Sequence, residues 1–123
     1  MLIIEVNFIS VELLKNEKIK RNEVNNMKVF LSHKMSGLSE AEVMQIREKA
    51  IKYLSDKYGN IDVIDNYHHY DAPEDAGRIW HLGKSISQMD AADAIYFCDG
   101  WETANGCIIE RNICKLYNLT IVE

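Results

Sequence analysis

From Met27 onward the apolar positions fall alternately into short runs and helical stripes. Val29-Phe30-Leu31 is a short apolar run ending in Ser32-His33, which predicts a strand. Ser39-x-x-Glu42 has the form of a capping box. It opens a helix with Val43, Ile46, Ala50 and Leu54 at helical spacing, and Gly59-Asn60 stops that helix. Ile61, Val63 and Ile64 predict a second strand, ending at Asp65-Asn66. After a loop holding the only proline, Pro73, the residues Ile79, Leu82, Ile86 and Met89 mark a second helix. Ala94-Ile95-Tyr96-Phe97-Cys98 is apolar throughout, as a strand buried on both faces should be. Asp99-Gly100 turns the chain, Gly106 to Tyr117 predicts a third helix with Ile109, Ile113 and Leu116 on one face, and Leu119 to Val122 closes as a strand.

Strand and helix alternating in this way predict an α/β domain: a flavodoxin/Rossmann-like three-layer sandwich with a parallel sheet in the order 2-1-3-4. In such sheets a ligand binds beyond the carboxyl ends of the strands, where the winding reverses between the first and third strands. Two loops reach that point, Ser32 to Ser39 and Asp99 to Glu110.

Residues 1–26 read differently. Leu2 to Leu14 is apolar with scattered polar residues, and Asn16 to Asn26 is polar and charged. The stretch holds equal numbers of acids and bases, so the net charge of −5 resides in 27–123. Glu23-Val24 can be encoded by GAGGTG, which resembles a bacterial ribosome-binding sequence ahead of a start codon for Met27. The expectation is one domain over 27–123 and an N-terminal extension over 1–26, which is either upstream of a native start at Met27 or a strand or helix that packs on the domain. The acidic balance speaks against a broad nucleic-acid-binding face, which needs clustered Lys and Arg. No apolar run approaches the roughly 20 residues of a membrane span. Cys98, Cys107 and Cys114 form no paired spacing and no Cys-x-x-Cys, so they read as buried thiols in a reducing, cytoplasmic compartment.

The first loop, Ser32-His33-Lys34-Met35-Ser36-Gly37-Leu38-Ser39, offers hydroxyls, a glycine and a helix N-terminus, a setting that favours anions or sugar hydroxyls. The second runs Asp99-Gly100-Trp101 to Gly106 and then Glu110. With Gly106 opening the helix, Glu110 lies about one turn in, where the helix dipole should help keep it ionised. An ionised carboxylate at a ligand crevice suits nucleophilic attack or stabilisation of a cationic carbon. Trp101 could stack on a base or simply cover the crevice. Asp65, at the end of the second strand, could bond a ligand or a turn. Tyr67 and Tyr70 are placed to line the pocket, Arg47 reads as a surface ion-pair partner in preference to a phosphate ligand, and Asp93 as a turn or cap at the far end of the sheet. His68-His69 are adjacent and point apart along an extended chain, so no metal site is expected.

These loops and the segment between them resemble the nucleoside 2-deoxyribosyltransferase superfamily, and most closely its small bacterial and phage branch. The resemblance rests on Val29 to Gly37, Trp80-x-Leu82-Gly83-Lys84-Ser85-Ile86, Ala92 to Phe97, Gly100-Trp101 and, most specifically, Gly106-Cys107-Ile108-Ile109-Glu110. It covers nearly all of 27–123. It implies that Glu110 attacks C1′ of a 2′-deoxynucleoside or its 5′-monophosphate, the base leaves, and a second base or water takes the sugar. Ser36 and Gly37 would line the sugar or phosphate side, with Lys34 reaching a phosphate and Ser85 standing where relatives carry an Asp. Ser32, Met35, Asp65, Asp99, Gly100, Trp101 and Gly106 complete the expected substrate site. No cofactor is implied. A homodimer or larger assembly is expected, since neighbouring subunits complete the site in the resembled enzymes. Two other classes fit the same residues: a protein that binds a nucleotide or nucleotide signal without turnover, and an interaction protein with a vestigial crevice. The enzymatic reading requires the Glu110 carboxylate to meet the mouth of the sheet rather than a packed interior.

Overall fold

A computed structural model describes residues 26–123. The expected extension, apart from Asn26, lies outside the described residues. The elements are β1 (Met27–Ser32), α1 (Glu40–Tyr58), β2 (Ile61–Val63), α2 (Arg78–Gln88), β3 (Ala94–Phe97), α3 (Asn105–Tyr117) and β4 (Ile121–Val122), with short 3-10 turns at Met89–Ala91 and Trp101–Thr103. All strand pairs are parallel and their order is β2-β1-β3-β4, as the alternation of elements predicts. Among the described residues, no helix is long and apolar enough to cross a membrane.

The side-chain alternation of β1 divides the core. Val29 and Leu31 face α1, packing with Ala50, Leu54 and Tyr58. Phe30 faces the opposite way and packs with Ile95, Phe97, Met89, Cys107 and Cys114. Helix α1 starts with both halves of the capping box in place. Ser39 Oγ accepts the Glu42 N–H at 3.1 Å, and Glu42 Oε1 accepts the Ser39 N–H at 2.8 Å. Asp93 takes the structural role expected of it: its Oδ2 accepts the Lys28 N–H at 2.8 Å at the amino end of β1.

Two helical faces differ from expectation. On α3 the buried residues are Cys107, Glu110 and Cys114. Ile113 packs beside them, whereas Leu116 is 77% exposed and Ile109 is also exposed. Two stripes of helical period lie side by side on this helix, and the one through Cys107, Glu110 and Cys114 packs on the sheet. On α2, Ile79 is 80% exposed and no residue is fully buried. That helix meets the core through Ile86 and the following Met89.

Candidate functional site

The same alternation that splits the core sends Ser32 towards α3 and His33 towards α1, and each meets a buried charged residue. On the α3 side, Ser32 Oγ donates to Glu110 Oε1 at 2.6 Å. Ser85, on α2, acts on the same carboxyl as a hydrogen-bonding group, and Ser32 also faces the Cys107 thiol. Gly106, at the start of α3, lies near Leu82 of α2. A Cβ at this position would lie 3.5 Å from Leu82 Cδ1, ordinary van der Waals contact. Ser32, Ser85 and Glu110 are thus brought together at the carboxyl ends of β1 and β3, where the winding reverses.

Glu110 is 6% exposed, turned inward from the second turn of α3. Burial raises its pKa, and the hydrogen bonds from Ser32 and Ser85 only partly offset this. The helix dipole, expected to help keep it ionised, is thus not the dominant influence: desolvation acts the other way. The helix starts at Asn105, so the carboxyl lies beyond the first turn, where the dipole effect has faded and desolvation dominates.

On the α1 side, Arg47 is 8% exposed and is no surface ion-pair partner. Its Nη1 donates to His33 Nε2 at 3.0 Å and to Asn66 Oδ1 at 2.8 Å, and its Nη2 reaches the Ile64 carbonyl at 3.3 Å. Asn66 Nδ2 in turn donates to the Leu31 carbonyl at 2.8 Å, tying the ends of β1 and β2 together. A guanidinium can only donate, so His33 Nε2 accepts and the imidazole proton sits on Nδ1, facing the Lys34 carbonyl at 3.3 Å. Burial, and then the neighbouring guanidinium, lower the His33 pKa to about 4.

The other predicted residues spread outward. Met35, Ser36 and Gly37 are exposed and Lys34 is half-buried, with Gly37 at φ 81° in the turn closed by Leu38 N–H to Met35 O. Asp65 is a turn residue. It accepts the N–H groups of Tyr67 and His68 and lies 3.0 Å from the His68 ring. Asp99 is exposed and pairs with Lys49 at 3.2 Å. Gly100, at φ 92°, leads into the turn that carries Trp101. Trp101 is half-buried, packs against Phe97 and lies under the Arg111 guanidinium, 4.6 Å from its ring centroid. Tyr70 is exposed and stacks on His68. The loop histidines diverge: His69 Nδ1 meets His81 Nδ1 at 2.9 Å.

Sequence reasoning missed His33, Asn66 and the inward aim of Arg47. One signal for Arg47 was present, since it falls on the stripe of Val43, Ala50 and Leu54. Asn66 and His33 carried none, because each acts through a contact made across the sheet ends. Among the described residues, no group of three or more His, Cys, Asp and Glu could hold a metal ion. Burial pushes the thiols up, Cys98 to about 12 and Cys107 and Cys114 to about 11, which leaves them protonated and poor nucleophiles.

No curated protein and no solved structure matches the chain. A family model described as a domain of unknown function (DUF4406) matches residues 27–123, the whole of the sheet and its helices, and the chain belongs to that family.

Proposed function

We propose that the protein cleaves or transfers the N-glycosidic bond of a 2′-deoxynucleoside or its 5′-monophosphate, with Glu110 as nucleophile. The observation that carries this reading is the Ser32–Glu110 pair at the carboxyl rim, beside the reversal of winding where parallel sheets bind ligands. A carboxylate already stripped of water needs no desolvation before it attacks C1′, and its charge offsets the oxocarbenium character of the transition state. Ser32 and Ser85 hold the carboxyl in place. The resemblance described above to the deoxyribosyltransferases, in Gly106 to Glu110 and the first loop, supplies the substrate class. It also supplies the homodimer or larger assembly of the proposal. The enzymatic reading expects a carboxyl open to the mouth of the sheet, and the 6% exposure of Glu110 counts against it.

That burial favours a second reading, in which the rim binds a nucleotide without turnover. Incubation with a panel of deoxynucleosides and their monophosphates, with chromatography of free base, separates the two. Release of base by the wild type and its loss in Glu110→Ala supports the enzyme. Binding in calorimetry with no base released supports the sensor, and unchanged release in Glu110→Ala refutes Glu110 as nucleophile.

A further inference from the structure

Arg47 is a buried cation with no carboxylate in ion-pair distance among the described residues. Its acceptors are a neutral imidazole, a side-chain amide and a backbone carbonyl. A guanidinium has five N–H donors, and these contacts use three. The remaining two, on Nε and Nη2, have no partner among the described residues. A buried charge satisfied only by neutral dipoles is costly compared with one that faces an anion. The acid that acts on it through space, Asp65, is exposed and engaged with its own turn and with His68.

The place of this cation matters as much as its charge. Arg47 touches His33 just beyond β1, Asn66 and Ile64 just beyond β2, and acts electrostatically on Cys98 just beyond β3. It therefore stands at the same rim as Glu110, on the other side of β1. The start of α1, by contrast, is a poor seat for an anion. Its capping box already uses the Ser39 and Glu42 N–H groups, and Glu40 and Glu42 place negative charge in the first turn.

We propose that Arg47, held by His33 and Asn66, is the subsite for an anionic oxygen group of the ligand, the 5′-phosphate of a deoxynucleoside monophosphate. The proposal rests on the reading of the rim as a deoxynucleoside site and narrows it to phosphorylated substrates. Positive charge on one side of β1 recognises the phosphate, and negative charge on the other meets the anomeric carbon. His33 keeps its Nε2 lone pair on Arg47 and so fixes the guanidinium plane.

Two measurements on the full chain test this. The first is calorimetry with a 2′-deoxynucleoside 5′-monophosphate and with the matching nucleoside, on the wild type, Arg47→Lys and Arg47→Gln. The wild type is expected to favour the monophosphate by about tenfold or more, as a charge-assisted hydrogen bond supplies. Arg47→Gln should bring the ratio near one, and Arg47→Lys should keep part of it. A wild-type ratio near one, or a ratio unchanged in Arg47→Gln, overturns the subsite and leaves the Glu110 reading standing. Binding of neither ligand, with no base released, removes both. The second measurement needs no variant. The His33 Nε2 resonance of the labelled wild type should move saturably with sodium phosphate at constant ionic strength and stay still with sodium chloride. No movement, or equal movement with chloride, overturns the proposal even if Arg47→Gln does not fold.

Discussion

Acidification from pH 7 to pH 5 should cost the fold about 2 kcal/mol through one imidazole, His33. The folded protein holds this ring neutral by burying it and pointing a guanidinium at its Nε2, which lowers its pKa from 6.5 to about 4. The unfolded chain therefore binds more protons between those values. The stabilisation is complete above pH 6.5 and is lost as the pH falls towards 4. Linkage gives a loss of about 2 kcal/mol by pH 5 and about 3 kcal/mol by pH 4. Urea unfolding reads this directly. With a slope of about 1 kcal/mol per molar for a chain of this size, the midpoint should fall by about 2 M between pH 7 and pH 5. Carboxylates titrate over part of the same range, so the comparison is with His33→Gln. Its side-chain oxygen can accept from Arg47 but does not titrate. The difference between the two proteins should open as the pH drops. Parallel pH dependence in wild type and His33→Gln, or a His33 ring that titrates at its ordinary value by magnetic resonance, would refute the reasoning.

Two further expectations rest on the same physics. Burial raises the Glu110 pKa, so the folded state keeps this proton to higher pH than the unfolded state does, and ionised Glu110 subtracts stability as the pH rises. Glu110→Gln should therefore unfold at a higher temperature than wild type at pH 8 and lose that advantage at pH 4; equal midpoints at pH 8 would count against it. Cys98, Cys107 and Cys114 should stay unreactive towards a thiol reagent at pH 8 in the native protein and all react in urea, and one fast native thiol would contradict their burial.

The paired contacts of β1 give the rim its character. Ser32 and His33 are neighbours in the chain, and because a strand sends successive side chains to opposite faces they anchor groups on different helices. One anchors a carboxyl whose pKa burial has raised, the other a guanidinium whose partners are all neutral. A substitution at either residue should perturb one side of the sheet and spare the other.

Much of the fold is carried by local pattern. The apolar runs of Val29 to Leu31 and Ala94 to Cys98, the capping box at Ser39 and the stripe through Val43, Ala50 and Leu54 each specify an element from within a few residues of themselves. Their alternation then restricts the sheet to a few parallel windings, and the importance of the two rim loops follows from that winding. What local pattern could not reach was the choice between equivalent faces and the pairing of polar groups. Helical period allows both the Ile109–Leu116 stripe and the Cys107–Cys114 stripe of α3. The choice is made when the helix packs on the sheet, where Cys107 and Cys114 join the core and Glu110 meets Ser32, 78 positions away. Arg47 looked like a solvated charge because its acceptors come from the ends of β1 and β2 and converge only when α1 packs on the sheet. Charge state, too, belongs to the tertiary structure: the neutrality of His33 and the raised pKa of Glu110 arise from burial, which no stretch of sequence possesses until the strands and helices close over it.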